Sequence, residues 1–376
     1  LPSPEAIVPA LLEWFARHAR DLPWRRTRDP YGIWISEIML QQTQVATVIP
    51  YWHRWMESLP TIESLDQADE PRVLKLWEGL GYYSRARNLM KAARWIMTEH
   101  QGQFPDRLED LLELPGVGRY TAGAIASIAF NQPAPILDGN VIRVLTRLYA
   151  LAGDPKGKEL NARLWQLAEE WVGAAGQTRP TSAGSPLAAG PCSALNQSLM
   201  ELGATVCLPR APKCDICPVQ TFCHALQLNR VEAFPQTADR PQAEEKQYAV
   251  LVIERQGRYW IRQRPAGVVN AGFWEFPNLE LKGKDGRATA AQWLSVPSAE
   301  LVELGRFRHS ITRYRIQLEV FLARPGHQRP PADPTGRWAG RAELESLPLT
   351  AAHRRIVKRA LDSADHDPGI QEGHRR

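Results

Sequence analysis

Between Leu114 and Asp138 the chain reads LPGVGRYTAGAIASIAFNQPAPILD, and few folds accept that order of residues. Pro115, Gly116 and Gly118 interrupt what would otherwise be one helix and predict a tight turn between two. Glycine reaches positive φ without steric cost and leaves room for a ligand to approach the backbone. The N–H groups of such a turn, running into the free N–H groups of a helix from Arg119, suit a phosphate. An apolar helix is predicted through Ala122, Ile125, Ala126, Ile128 and Ala129. It should end near Asn131, because Gln132 precedes Pro133 and Pro135 stiffens the next step. The chain then delivers Asp138 and Gly139. Read without its surroundings, LPGVG would serve equally as a plain helix connection.

With 376 residues the chain has room for two domains, each with a core. A net charge of +5 is compatible with a polyanionic partner without requiring one. No apolar run reaches membrane-spanning length and no signal-like stretch opens the sequence. The expectation is a soluble intracellular protein without a membrane partner, cytoplasmic and nucleoid-associated if bacterial.

Upstream of the turn, Ala6 to Ala19 reads as an amphipathic helix. The stretch SEIMLQQTQVATVIPY also reads as helical, with Ile35, Ile38, Met39, Val45 and Ile49 marking its buried face. Glu37, Gln41 and Gln44 recur three or four apart on another face, so one carboxylate stands among amides. A solvated polar row would show the same spacing. The segment LWEGLGYYSRARNL sets Tyr82 and Tyr83 on a glycine-flexed turn beside Arg85 and Arg87. An aromatic there can wedge into a base stack, or simply join two helices. Trp14, Trp52, Trp55, Trp77 and Trp95 are expected in the core or at its boundary.

Beyond Asp138, NVIRVLTRLYA reads as an amphipathic helix with Arg143 and Arg147 on its polar side. Residues 173–191 lack large apolar side chains and read as a surface loop, with Cys192 after it as a lone thiol. The other four of the five cysteines crowd into seventeen residues as Cys207-x6-Cys214-x2-Cys217-x5-Cys223. Clustering argues against a disulfide framework and for a metal or cluster in a reducing compartment. Four thiolates suit zinc or an iron–sulfur cluster, although structural zinc favours two close pairs and only one is present. Arg210 and Lys213 lie between ligands, where their charge can meet a phosphate.

The aperiodic polar stretch 227–247 reads as a linker. Two strands, Tyr248–Glu254 and Tyr259–Gln263, are predicted to form a hairpin turning at Gln256-Gly257. Strand-like segments at Trp274 and at Tyr314–Leu322, with helices near Ala288–Leu294 and Ala352–Leu361, complete an α+β domain.

These motifs, in this order, resemble the adenine DNA glycosylase family of the helix–hairpin–helix, endonuclease III-like superfamily. The resemblance covers about Trp24 to Cys223 densely and continues more loosely to about residue 360, where the domain is similar to a Nudix domain and includes its WEFP segment. It implies an all-α, two-lobed glycosylase domain over residues 1–226 and a linker over 227–247. A Nudix-like lesion-recognition domain over 248–362 and a disordered tail over 363–376 complete the expectation. The 6, 2, 5 cysteine spacing is similar to the [4Fe–4S] loop of that superfamily, which makes Cys207, Cys214, Cys217 and Cys223 the cluster ligands. The implied partner is duplex DNA with adenine opposite 8-oxoguanine or guanine, bound by a monomer. The 173–191 stretch departs from the family outside any motif.

By the same resemblance Glu37 is the general acid and Asp138 the stabiliser or nucleophile, with Tyr120 and Asn140 orienting them. Gln42, Thr43 and Tyr82 match residues that open the stack and probe the lesion, and Gly116, Val117 and Gly118 match the backbone that holds DNA. In the C-terminal domain the loop from Phe307 to Tyr314 is expected to read 8-oxoguanine. Many relatives carry Phe-Ser-His where Ile311, Thr312 and Arg313 stand, so Ser310, Thr312 and Arg313 are the readers expected here. The acidic Nudix box is absent from Leu281–Leu304, which points to recognition rather than hydrolysis.

The chemistry has its own logic. Adenine is a poor leaving group and benefits from a proton delivered by an acid whose pKa is raised on an apolar helix. A second, ionised carboxylate stabilises the oxocarbenium character of the sugar, as in glycoside hydrolases. Where endonuclease III-like lyases place a lysine, LPGVGR continues with Tyr120, which cannot form a Schiff base. Two alternatives remain: a bifunctional pyrimidine glycosylase/lyase, and a non-catalytic iron–sulfur DNA-binding protein.

Overall fold

Proline and glycine punctuation sets where each helix stops. The computed structural model describes residues 3–178, 190–236, 243–311, 313–324, 333 and 335–365. Twelve helices precede the first strand among them. They are α1 (Pro4–His18), α2 (Pro30–Leu40), α3 (Val45–Ser58), α4 (Ile62–Asp66), α5 (Glu70–Leu76), α6 (Ser84–Glu99), α7 (Leu108–Glu113), α8 (Arg119–Phe130), α9 (Gly139–Leu148), α10 (Lys158–Gly176), α11 (Pro191–Thr205) and α12 (His224–Gln227). The chain divides into two compact units: Leu1–Ala68 with Ser84–Asp239, and Asp69–Tyr83 with Arg240–Arg376. Helix α5 and the turn after it thus cluster with the C-terminal residues.

In the first unit α1, α9, α10 and α11 share an apolar core that includes Leu11, Phe15, Val144, Leu145, Trp171 and Leu199. Helix α2 packs on α3 and α8, and α4 on α6. Asp29 caps α2 by accepting from Tyr31 N at 3.1 Å and Gly32 N at 3.2 Å, with Pro30 at the first helical position. From Tyr31 to Met39 every residue of α2 is buried.

The expected continuous helix from Ser36 into Tyr51 is corrected: it breaks between Leu40 and Val45. Gln42 sits at φ +60, and Val48, rather than Val45 or Ile49, is buried in α3. The broken end is satisfied from outside. Arg85 Nη1 donates to the carbonyls of Ile38 (2.7 Å), Met39 (3.1 Å) and Gln41 (2.5 Å). These are the orphan acceptors every helix C-terminus leaves. Arg85 is therefore a buried cap, not a surface cation.

Three other expectations shift. Gly173–Gly176 belong to α10 with Ala175 buried, so the surface stretch starts later, and residues 179–189 lie outside the described set. Residues 230–236, read as linker, return to the helical unit: Phe234 is buried and its carbonyl accepts from Arg147 Nε at 3.0 Å. The last helix reaches Asp365, past the expected start of the tail, whose remainder lies outside the described residues.

The second unit carries a mixed seven-stranded sheet: β1 (Glu244–Arg255), β2 (Arg258–Gln263), β3 (Trp274–Glu275), β4 (Asn278–Glu280), β5 (Val302–Ile311), β6 (Tyr314–Ala323) and β7 (Gly336–Ala339). The main path runs β3-β2-β1-β6-β5, with β1 and β6 parallel and the other pairs antiparallel. Gln256 (φ +52) and Gly257 (φ +72) form the predicted hairpin turn between β1 and β2. Strand β1 is apolar at consecutive positions because both its faces are covered. Val250 and Val252 face a core shared with α15 (Ala351–Asp365) and with α14 (Arg341–Ser346), while Ala249, Leu251 and Ile253 face α13 (Gly286–Leu294). Helix α13 carries no carboxylate, and Asp285 before it is spent on capping Ala288 N at 2.7 Å. The expected loop from Phe307 to Tyr314 is instead the end of β5 and the start of β6, Ile311 pairing with Tyr314.

Candidate active site

Glu37 stands one turn before the end of α2, a helix buried all round, and keeps 5% exposure. Tyr120, in the first turn of α8, donates its hydroxyl to Glu37 Oε2 at 2.9 Å. Burial raises the Glu37 carboxyl to about 7 from an ordinary 4.5. The Tyr120 hydrogen bond works against that rise, the negative Asp138 adds to it and Arg25 opposes it. Burial, and then the charges of Glu37 and Asp138, push the Tyr120 hydroxyl well above its usual range, so it stays a donor.

Asp138 is the N-cap of α9. Its Oδ1 accepts from Asn140 N at 2.9 Å and Val141 N at 2.7 Å, and its Oδ2 from Asn140 Nδ2 at 2.8 Å. Burial raises its pKa too, but these three donors and Arg143 pull it back. Glu37 has one donor where Asp138 has three. Hydrogen bonding therefore favours the ionised form more strongly at Asp138 than at Glu37.

Both groups line one cavity of about 560 Å³, walled by Trp24, Ile33, Ile128 and Met200 and edged by Gln41, Gln42 and Thr43. That size suits a nucleobase with its sugar. Thr43 sits in the turn after α2, its N–H on Leu40 O at 3.2 Å, and Gln42 is exposed. No lysine lines the cavity among the described residues.

A charged set missed in the sequence stiffens one wall. Glu201 of α11, wholly buried, accepts from Arg20 Nε at 2.6 Å and Arg25 Nη2 at 2.9 Å. Burial alone would raise the Glu201 carboxyl, but the two guanidiniums hold it below the ordinary value. Only their separation in sequence, more than 170 residues, hid this set.

The turn between α7 and α8 has the predicted form. Gly116 lies at φ +82, and a Cβ there would meet Asn88 at 2.6 Å, so only glycine fits. Val117 is buried, while Gly118 faces open space at the start of α8.

Arg143 and Arg147, one turn apart on α9, connect this site to the cysteines. Arg143 donates Nη2 to Asn140 Oδ1 (2.8 Å) and to Gly203 O (2.7 Å), and Nε to Cys207 O (2.7 Å). Arg147 is 2% exposed, which corrects its expected place on a polar face. It holds Leu208 O at 2.6 Å and Cys207 Sγ at 3.4 Å. Cys207, Cys214, Cys217 and Cys223 are free thiols lining one small cavity of about 30 Å³. Burial pushes Cys217 up to about 12 and raises Cys214 and Cys223 as well. Among the described residues no three Cys, His, Asp or Glu side chains converge closely enough to hold one metal ion.

The remaining expected residues lie in the second unit. Tyr82 is at φ +47 and 49% exposed. On β5, Arg306, Arg308 and Ser310 alternate outward while Phe307 and His309 are half-buried. Arg313 is exposed and donates to Tyr314 Oη at 2.9 Å. Thr312 lies outside the described residues. No helix among the described residues is long and apolar enough to cross a membrane.

Residues 35–170 match the family model described as HhH-GPD superfamily base excision DNA repair protein, and residues 248–359 match the NUDIX domain. The adenine DNA glycosylase of Mus musculus is 35% identical over 97% of this chain and 79% of its own length. That of Homo sapiens is 36% identical, over 93% and 73% respectively. The solved structure of a thermostable thymine-DNA glycosylase superposes with a TM-score of 0.51 at 30% identity, covering 60% of this chain and 97% of that one.

Proposed function

The chain belongs to the adenine DNA glycosylase family, and we propose that it hydrolyses the N-glycosidic bond of adenine opposite 8-oxoguanine, or opposite guanine, in duplex DNA. One observation carries the assignment: Glu37, buried and raised to about 7, shares a cavity with Asp138 and receives the Tyr120 hydroxyl.

In this reading Glu37 protonates the adenine ring and the bonding electrons leave with the base. Asp138, held by three N–H donors, stabilises the cationic sugar; water then adds to the anomeric carbon and gives its proton to the Glu37 carboxylate, which restores the acid. Tyr120 orients Glu37, and Asn140 orients Asp138. Gly116, Val117 and Gly118 hold the DNA backbone by main-chain contact, Gln42 and Thr43 border the extruded nucleotide, and Tyr82 fills the stack it leaves. The cavity lining supports base release without strand cleavage, since among the described residues no lysine lines it to form a Schiff base. Ser310 and Arg313 are the proposed readers of the lesion strand, together with Thr312, which lies outside the described residues. The C-terminal domain recognises the lesion rather than hydrolysing a pyrophosphate.

The four thiols fit a [4Fe–4S] cluster: they are soft donors lining one cavity. Bound there, the cluster would hold the cysteine loop together, while Arg147 and Arg143 anchor the loop carbonyls to the same helix that Asp138 caps.

A single-turnover assay on duplexes with A:8-oxoguanine and A:G tests the proposal. Base release without strand cleavage is expected. Cleavage by β-elimination would restore the lyase alternative, and no release from either mispair would remove the enzymatic reading.

A further inference from the structure

Helix α5 and the turn after it, Asp69–Tyr83, belong to the same compact unit as Arg240–Arg376, although Ala68 and Ser84 on either side do not. A specific clasp accounts for that. Arg354 of α15 grips Glu78 with both arms, Nε to Oε1 at 2.6 Å and Nη2 to Oε2 at 2.9 Å. The same guanidinium donates to Leu344 O (2.8 Å) and Leu347 O (2.6 Å) at the end of α14. Lys75 reinforces it, its Nζ lying 3.1 Å from Glu78 Oε2 and 2.7 Å from Glu345 O. Bidentate geometry and partial burial make such a pair stiff as well as strong. Five residues after Glu78, Tyr83 packs its ring on Phe273 with centroids 4.0 Å apart, both side chains buried.

Between these two anchors stands Tyr82. Gly79 (φ +104), Gly81 (φ +69) and Tyr82 (φ +47) bend the backbone, and Trp77 Nε1 holds Gly81 O at 3.1 Å. A bulky residue in the left-handed region persists only where its surroundings impose it. Here the imposing groups are Arg354 and Phe273. We infer that Arg354 is a positioning residue for mispair discrimination: through Glu78 it fixes the turn that presents Tyr82, so the C-terminal unit sets the aromatic wedge. This inference rests on the reading of Tyr82 as the residue that enters the stack.

The test is a double-mutant cycle on the full chain with Arg354→Met, Tyr82→Ala and both together. The readouts are single-turnover adenine release, and the fluorescence of 2-aminopurine placed beside 8-oxoguanine. Tyr82→Ala should lower preference for A:8-oxoguanine over A:G by about tenfold, within what a lost stacking contact costs. Arg354→Met should reproduce much of that loss and the same fall in 2-aminopurine signal, yet add less than about twofold once Tyr82 is gone. Glu78→Gln, which leaves the Arg354 contacts to α14 available, should behave like Arg354→Met and stands in for it if that variant folds poorly. If Tyr82→Ala keeps full discrimination, the wedge reading itself fails. If Tyr82→Ala discriminates poorly but Arg354→Met and Glu78→Gln do not, or if the losses simply add, the clasp has no positioning role and the inference is overturned.

Discussion

Tyr120 gives Glu37 its one hydrogen-bond donor, and that bond favours the ionised carboxylate against the effect of burial. Adenine release should therefore fall as pH rises through about 7, the value to which Glu37 is raised. Tyr120→Phe removes the donor and should move that limb to higher pH, while disturbing the orientation of the acid. A pH–rate profile under single-turnover conditions checks both signs. An unshifted limb in Tyr120→Phe would show that another group sets it.

The same shift has a stability counterpart. An acid whose folded pKa lies above its unfolded one binds extra protons when folded, so its contribution is full below about 4.5 and is lost as pH rises through about 7. Glu37→Gln removes that loss. Above pH 7 the variant should unfold later than the parent chain, with a ceiling of roughly 3 kcal/mol, while catalysis disappears. Urea denaturation at pH 5 and pH 8 measures the difference. An equal effect at both pH values would deny the linkage.

Asp138→Asn should cost more than its charge. Asn140 Nδ2 donates to Asp138 Oδ2, and Asn140 Oδ1 is already engaged by Arg143. An amide at 138 that keeps its oxygen on the two backbone N–H groups would turn its own NH2 toward Asn140 Nδ2, donor against donor. With the charge gone as well, adenine release should drop by about 10²–10³-fold. A near-normal rate would take Asp138 out of the mechanism.

Much of this site was legible along the chain because its residues sit in local signals. Gly116 and Gly118 mark a turn, Asp138 precedes a helix as a cap does, and the cysteines are counted by spacing. Gln256-Gly257 announced the hairpin with the same directness. What the chain concealed depends on residues brought together from far apart. The break after Leu40 is stabilised by Arg85 from another helix, so hydrophobic periodicity alone ran α2 into α3. Arg147 looked like a surface cation because nothing local reveals that its partners are carbonyls and a thiol sixty residues on. The clustering of Asp69–Tyr83 with the C-terminal residues rests on Glu78 and Arg354, 276 positions apart.

Gly203 offers a steric probe of the link between the cysteine loop and the site. A Cβ there would meet Asn140 Cβ at 2.5 Å and its Cα at 3.0 Å, and neither atom can swing aside. Gly203→Ala should push α9 from α11, costing about 1–3 kcal/mol of stability. Adenine release should slow with it, because Asn140 and Asp138 open that helix. Iron content per chain should fall less than the rate, since no cysteine is among the atoms the Cβ would meet. Arg147→Met should do the reverse, lowering iron content first. Parallel loss of iron and rate in both variants would show that the cysteine loop and the site are not separable.

The outward row on β5 separates reading from attraction. Arg306, Arg308 and Ser310 alternate to solvent on one strand, ahead of the exposed Arg313 at the turn. An exposed arginine there serves phosphate, which carries no sequence information, whereas a hydroxyl can accept from or donate to a base edge. Arg308→Ala should weaken binding to lesion and plain duplex alike and reduce the salt dependence of log K by about one phosphate contact. Ser310→Ala should leave that slope and the rate on A:G untouched while narrowing the preference for A:8-oxoguanine by several-fold, of the order expected for one lost hydrogen bond. Salt titrations of binding on both duplexes, with single-turnover rates beside them, distinguish the two roles. If Ser310→Ala changes neither, the hairpin holds DNA without reading the lesion.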